Sequence, residues 1–79
     1  MTGPVMQQWV IYDHPRDFPN NIVVRHWLIW RGGEISATDE VWLRDDVEGA
    51  RDVIRANFPD GYRLARQPDD DPTIVEVWT

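Results

Sequence analysis

The stretch IVVRHWLIWRGG, residues 22–33, decides the fold of this chain. Its first ten residues are mostly β-branched or aromatic and are apolar at odd and even positions alike, which is typical of a strand inside a sheet. The two glycines that follow accept the positive φ angles of a tight turn, so they predict a hairpin. Residues 34–44, EISATDEVWLR, are then the returning strand, with a bulge or break expected at residues 37–39.

One further strand precedes this hairpin, and one helix follows it. QQWVIYD, residues 7–13, alternates in the manner of a strand. Asp45 with Glu48 three residues later has the spacing of a capping box, which predicts that a helix starts at Asp45. Pro59 and Gly61 predict where that helix ends.

The predicted helix has an apolar side and a charged side. Glu48–Arg51 and Asp52–Arg55 are spaced for contact on its outer surface. The apolar residues that follow the three–four spacing of a buried stripe are Val47, Ala50, Ile54 and Phe58.

The last segment predicts a second hairpin, because YRLAR and TIVEVWT flank the proline-bounded acidic turn QPDDDP. The element order is therefore β-β-β-α-β-β. It predicts a single α+β domain over residues 1–79, built in two layers. The layers are an antiparallel sheet of four to five strands and one helix packed on one face of it. Residues 1–6 are expected to be a loose terminus.

Composition excludes several classes of site and partner. The chain has no cysteine, so disulfides, thiolate zinc sites and a cysteine nucleophile are excluded. Its net charge of −6 disfavours direct binding to nucleic-acid phosphates, which needs a basic surface. The longest apolar run, WLIW, is too short to span a membrane, and the N-terminal residues do not have the pattern of a signal peptide. We expect a cytoplasmic protein with no membrane partner.

Five tryptophans in 79 residues are the strongest anomaly of the composition. If the helix packs on one face of the sheet, the opposite face is expected to carry tryptophan and arginine. The residues expected to face the helix are Val24, Leu28, Val41, Leu43, Val75 and Val77. The residues expected on the opposite face are Arg25, Trp27, Ile29, Arg31, Trp42, Arg44, Glu76 and Trp78.

We predict that this second face binds a protein partner or a second copy of the chain. Tryptophan and arginine are typical of binding hot spots, and exposed apolar patches often mark contact sites. The candidate binding residues are Arg25, Trp27, Arg31, Trp42, Arg44 and Trp78. The alternative is that the loop after the first strand folds over these tryptophans, or that they complete a small core. A slip of one residue in register would exchange the two faces.

The loop within IYDHPRDFPNN, residues 11–21, holds a local polar cluster of Asp13, His14 and Asp17. These side chains could ligate a metal or set a histidine beside an orienting carboxylate, but a metal site normally needs three or four converging ligands. A stiff connection explains the same residues, because the aspartates can bond nearby amides and Phe18 can anchor the loop. We favour the connection, and predict no metal, no cofactor and no catalytic residue.

Two other polar features have structural interpretations. His26 lies inside the apolar strand and is expected to be a core histidine with its hydrogen bonds satisfied. Asp69, Asp70 and Asp71 lack the alternating ligands, central glycine and distant glutamate of a calcium loop, so they are expected to form a solvated turn.

Three segments, WVIYDHPRDFP, TDEVWLRDDVEGAR and DDDPTIVEVWT, resemble a group of short bacterial proteins of uncharacterised function. Those proteins share a YVIYDHP-x-DFP opening, a TDEVWLA-like segment before an acidic helix start, and a DDP-x-IVEVW ending. The resemblance runs from about Trp9 to Trp78, and its motifs are distinctive as a set. It implies a free-standing small domain of bacterial origin and carries no activity.

Three functions are therefore weighed. The first is a non-enzymatic binding or self-associating module, in which Trp27→Ala and Trp42→Ala weaken association without unfolding the domain. The second is an acidic inhibitor or nucleic-acid mimic that binds a basic protein, which requires the acidic residues to converge on one face. The third is a metal-dependent enzyme at Asp13, His14 and Asp17. We favour the first, and expect that the protein is not an enzyme.

Overall fold

The computed structural model describes residues 3–79, which form a five-stranded antiparallel sheet with one helix on one face. The elements are β1 (Met6–Asp13), β2 (Ile22–Ile29), β3 (Ile35–Arg44), α1 (Val47–Asn57), β4 (Arg63–Leu64) and β5 (Ile74–Trp78). The strands lie in the order β3-β2-β1-β5-β4. The predicted α+β class and element order are confirmed, and no helix within residues 3–79 has the length and apolar content needed to cross a bilayer.

Val5 and Met6, which were expected to lie in a loose terminus, are joined to the sheet. Met6 is already the first residue of β1. The backbone N–H of Val5 donates to the Ile29 carbonyl at 2.8 Å, so the chain joins the sheet at this point. Residues 1 and 2 lie outside the described part of the chain.

The predicted hairpin between β2 and β3 is confirmed. Gly32 and Gly33 have φ angles of 96° and 89°, a conformation that residues with a side chain rarely adopt. The Trp30 N–H donates to the Glu34 carbonyl at 2.7 Å and closes the turn. A register shift lies between Arg25 and Trp27 of β2, opposite the part of β3 where the sequence predicts a bulge or break.

The helix α1 begins one residue later than the sequence predicts. Asp46 is the N-cap, and its side chain accepts a hydrogen bond from the Gly49 N–H at 2.7 Å, which satisfies one of the free amides of the first turn. Ala50, Val53 and Ile54 are its buried residues, so Val53 joins the predicted stripe. The predicted pairs Glu48–Arg51 and Asp52–Arg55 both form.

The main core lies between α1 and one face of the sheet. Its buried members are Trp9, Ile11, Ile22, Val24, Ala50, Val53 and Ile54. Fully burying a large aliphatic side chain contributes about 1.5–3 kcal/mol, so the aliphatic members of this set stabilise the helix–sheet contact. Trp42, Phe58 and Trp78 pack around it, and the Trp9 ring lies 5.2 Å from that of Trp42.

The expected distribution of β3 residues between the two faces is wrong. Ile29 pairs with Ile35, so odd-numbered residues of β2 lie beside odd-numbered residues of β3. The register shift adds two residues to β3 and preserves this parity, so Val24 pairs with Trp42 and Arg25 with Val41. Because side chains alternate along each strand, Trp42 points toward α1. Val41 and Leu43, which were expected to face the helix, lie on the other face.

A similar correction applies to β5. Trp9 pairs with Trp78 and Ile11 with Glu76, so Trp78 and Glu76 lie on the helix side instead of the opposite face. Val77 pairs with Val10 and lies away from the helix, contrary to expectation. A register shift leaves Val75 without a partner in β1, and its side chain packs against the main core as expected.

Candidate functional site

The six candidate binding residues do not form one surface. Arg25 and Trp27 lie on the sheet face opposite α1, which we call the open face. Trp42 and Trp78 pack against the main core instead. Two arginines are elsewhere: Arg44 pairs with Ile22 and lies beside Gly49 of the first helical turn, and Arg31 is exposed in the β2–β3 turn.

The open face is apolar in its own right. Val10 and Val23 are 4% and 0% exposed, although both lie on the side of the sheet away from the helix. The loop after β1 covers part of this face, because its Phe18 ring lies 5.9 Å from the Arg25 guanidinium and its Pro15 is buried. As an alternative to a binding face, the sequence predicts a loop that folds back over the sheet. The loop does so over part of the open face.

The uncovered part of the open face is a groove of about 480 Å³, which we call the sheet groove. All five strands contribute to it, together with the loop between β4 and β5. Its lining residues are Gln8, Val10, Tyr12, Trp27, Ile35, Leu64, Ala65, Gln67, Asp70, Ile74 and Val77. Ile35 and Leu64 are 58% and 44% exposed, so apolar side chains at opposite edges of the groove remain in water.

Tyr12 and Trp27 form the aromatic part of the groove wall. They also line a neighbouring hollow that contains Arg16 and Arg25, so they separate an apolar compartment from a polar one. Burial raises the pKa of the Tyr12 hydroxyl, and the nearby Trp27 side chain opposes that shift. The hydroxyl is therefore uncharged at neutral pH and can donate or accept a hydrogen bond. The buried Nε1 of Trp27 has no hydrogen-bond partner among residues 3–79.

Charge is sparse inside the sheet groove. Of the residues that the structure describes, Asp70 is the one charged residue that lines it. Its Oδ2 accepts the backbone N–H of Gln67 at 2.8 Å, which fixes the loop between β4 and β5. Asp69 and Asp71 are exposed and do not line the groove, and hydrogen bonds from Thr73 lower the pKa of Asp71.

The polar cluster of the first loop is divided between two sets of partners. His14 Nδ1 contacts the Asp13 carboxylate, whereas Asp17 pairs with Arg25 on the open face. Within residues 3–79, no three histidine, cysteine or acidic side chains are grouped so that they could hold a metal ion. The arrangement presents one exposed histidine beside one carboxylate.

Backbone hydrogen bonds explain the shape of this loop. The His14 N–H donates to Asn21 at 3.0 Å and the Phe18 N–H donates to Pro15 at 3.0 Å. Asp13 is held to Thr73 by a further bond of 2.7 Å from its N–H. These contacts fit the interpretation of the segment as a stiff connection between β1 and β2.

His26 is a satisfied histidine at the edge of the core, as the sequence predicts. Its ring stacks on Trp9 with 4.1 Å between centroids and 15° between planes. Nδ1 lies 2.9 Å from the Glu40 carboxylate, and Nε2 lies 2.7 Å from the Gln7 side-chain oxygen. Both ring nitrogens therefore have local partners and neither faces the sheet groove.

Glu76 is the polar residue whose role was missed by the sequence prediction, which placed it on the opposite face. It is 8% exposed and accepts hydrogen bonds from Arg51 and from the Trp78 indole N–H. Burial by itself raises the pKa of the Glu76 carboxyl, but the bonds from Arg51 and Trp78 together outweigh it and hold that pKa below its usual range. A glutamate between two valines gives no local sign of this partner, because Arg51 is 25 residues earlier.

The acidic residues come from several separate parts of the fold. Some lie near the start of α1, others in the loop before β5 and others on β3. The acidic residues that pair with arginines are Asp17, Glu48, Asp52 and Glu76. These ion pairs reduce the negative field that an acidic mimic would present.

Comparisons with known proteins assign no role to this geometry. The chain was compared with protein-family models, with curated proteins and with solved structures, and none of them matches it. The sheet groove and the residues that line it are therefore the observations that bear on function.

Proposed function

We propose that this protein is a non-enzymatic binding module that holds an apolar segment of a protein partner in the sheet groove. The observation that carries the proposal is a second apolar face of the sheet that α1 does not cover and the loops cover only in part. Ligand sites are typically concave and mostly apolar, with a few polar groups that fix orientation. The sheet groove has this character, with Gln8, Tyr12 and Gln67 as its neutral polar groups.

The exposed side chains at the groove edges support a partner. A domain of 79 residues has a small core, so leaving large aliphatic groups in water loses stabilisation that it needs. Ile35 and Leu64 are nevertheless exposed on either side of an aromatic wall. Aromatic side chains in such a position are typical anchors of protein interfaces. We expect the module to act in the cytoplasm.

A second copy of the chain is the second candidate partner. β3 has ten residues and forms one edge of the sheet, and no strand within residues 3–79 pairs with its outer side. Such an edge can pair with another strand. Asp39 and Glu40 lie near the middle of β3, however, and antiparallel pairing of two β3 strands about their centres brings like charges together, which is destabilising. We therefore favour a foreign partner.

The experiment that tests this function is a titration with a neutral peptide. We would add the capped peptide Ac-VTVTVQ-NH2 to ¹⁵N-labelled protein and map the changes in amide shifts. Binding should move the amides of groove residues such as Val10, Trp27 and Val77. Ile35→Asp should remove these changes, because it places a charge among the apolar groups of the groove.

Tyr62→Asp is the matched control, because Tyr62 is 77% exposed and lines none of the hollows described here. It should leave the peptide titration unchanged. The proposal fails if millimolar peptide moves no groove amide, or if Tyr62→Asp has the same effect as Ile35→Asp. Sedimentation equilibrium of the free protein distinguishes the second candidate, since a dimer that Ile35→Asp dissociates would make the second copy the partner.

A further inference from the structure

We infer that the sheet groove selects an extended segment of about six residues that carries an arginine or lysine at one end, where the cation meets the Asp70 carboxylate. This inference rests on the proposed function and specifies the chemistry of its partner. It follows from the length of the groove, from the charge that lines it and from the partners of the neighbouring cations.

The length of the groove fits a short extended segment. Ile35 lies on β3 at one edge of the sheet and Leu64 on β4 at the other, so the groove crosses all five strands. Neighbouring strands are about 4.8 Å apart, and four such intervals span about 19 Å. An extended chain rises about 3.3 Å per residue, so about six residues cross the groove.

The charge at one end of the groove is negative, and Asp70 forms no ion pair with Arg63 or Arg66, the arginines nearest to it in the sequence. Arg66 Nε donates to the Ile74 carbonyl at 3.1 Å, and its Nη2 lies 3.5 Å from the backbone carbonyl of Asp70, not from the carboxylate. Arg63 lies 3.7 Å from Glu76. Among the described residues, Asp70 Oδ2 accepts the Gln67 N–H, and Oδ1 accepts no hydrogen bond.

A long cationic side chain suits this end of the groove better than a small amine. Leu64, Ala65 and Ile74 line the groove together with Asp70, so an aliphatic stem can pack on apolar surface while its charged head reaches the carboxylate. Arginine and lysine both have this construction, and a hydrogen bond between charged groups is about twice as strong as a neutral one. An acidic side chain at the same place would meet Asp70 with like charge.

The test uses peptides that differ in one terminal residue. Ac-VTVTVR-NH2 and Ac-RVTVTV-NH2 place the cation at either end, while the same sequences with glutamine or glutamate in that position are the controls. At least one arginine peptide should bind five- to tenfold more tightly than its glutamine counterpart in the ¹⁵N titration. The corresponding glutamate peptide should bind more weakly than the glutamine peptide.

Asp70→Asn and Asp69→Asn form a matched pair, because each removes one negative charge from the same loop. Asparagine at position 70 keeps an oxygen that can accept the Gln67 N–H, so the loop should be retained. Asp70→Asn should abolish the preference for arginine, whereas Asp69→Asn should change it less than twofold. Equal losses in the two variants would overturn the inference, because the preference would then come from the net charge of the protein.

The two proposals fail in different ways. If the glutamine peptides bind in the groove and arginine gives no advantage, the inference is wrong and the proposed function stands. If no peptide of the set moves a groove amide, both are wrong. If a glutamate peptide binds most tightly, the groove selects an acidic partner and the inference is overturned.

Discussion

Arg51 on α1 and Glu76 on β5 form an ion pair that joins the helix to the sheet. Arg51 Nε lies 3.2 Å and 3.0 Å from the two carboxylate oxygens, and Nη2 makes a further close contact with Oε2. The same carboxylate accepts the Trp78 indole N–H at 3.0 Å. A nearly buried carboxylate is therefore satisfied by one partner from the distant helix, Arg51, and by one from its own strand, Trp78.

Glu76→Gln should reduce the free energy of unfolding by about 1–3 kcal/mol, because it removes the charge that Arg51 and Trp78 solvate inside the protein. Urea unfolding followed by circular dichroism measures this loss. Glu48→Gln is the matched control: Glu48 also pairs with Arg51, but its side chain is 65% exposed. An exposed pair contributes little, so the control should lose clearly less stability than Glu76→Gln. Equal losses would mean that Glu76 has no special role.

The same pair predicts a dependence of stability on acid. The pKa of Glu76 is held below its usual range, so the folded protein binds this proton less readily than the unfolded chain does. The stabilisation is then fully present above the unfolded pKa of about 4.3 and is lost as the pH falls through the lower folded pKa. Asp71, whose pKa is also lowered, acts in the same direction.

This dependence can be tested by measuring the unfolding free energy of the wild type and of Glu76→Gln between pH 7 and pH 3. The difference between the two proteins should be constant near neutral pH and should shrink below about pH 4. The other carboxyls are common to both proteins, so their titration cancels in the difference. A difference that grows toward low pH would contradict the assignment.

Trp42→Ala should destabilise the protein more than Trp27→Ala does. Trp42 packs against the main core beside Trp9, and truncating a core tryptophan costs about 3–5 kcal/mol when it is fully buried. Trp42 is partly buried, so we expect about 2–4 kcal/mol from the same cause. Trp27 lies on the open face, where it lines the sheet groove and does not belong to the main core, so its truncation should cost less.

This expectation replaces the prediction from the sequence, in which neither Trp27→Ala nor Trp42→Ala unfolds the domain. Urea unfolding of the two variants decides between them, with peptide binding measured on whichever variant remains folded. If Trp42→Ala is as stable as Trp27→Ala, the placement of Trp42 in the core is wrong.

Features encoded by neighbouring residues were predictable from the sequence. Gly32-Gly33 identifies the hairpin because the required backbone angles are local, and the three–four spacing from Ala50 to Ile54 identifies the buried side of α1 for the same reason. The N-cap was displaced by one residue because Asp45 and Asp46 can both serve as caps, and the choice depends on where β3 ends.

Features that depend on pairing between strands were not predictable. Alternation divides β3 into two sets of residues, but it does not say which set lies beside Val24. That choice follows from the pairing of Ile29 with Ile35, which is set by the length of the turn. The place of Asp70 in the sheet groove depends on how the loop before β5 folds back, and this is also a contact between distant segments.

The last prediction concerns the turn that sets this register. Gly33→Ala should cost about 1 kcal/mol of unfolding free energy, because a residue with a Cβ is strained at a φ of 89°. Apart from its chain neighbours, no described residue has a heavy atom within 4 Å of the added methyl group, so a clash with another part of the fold cannot explain a loss. Gly3→Ala is the control, since its methyl group also meets open space and Gly3 lies outside the hairpin. If both variants unfold at the same urea concentration, the backbone of Gly33 does not define the hairpin.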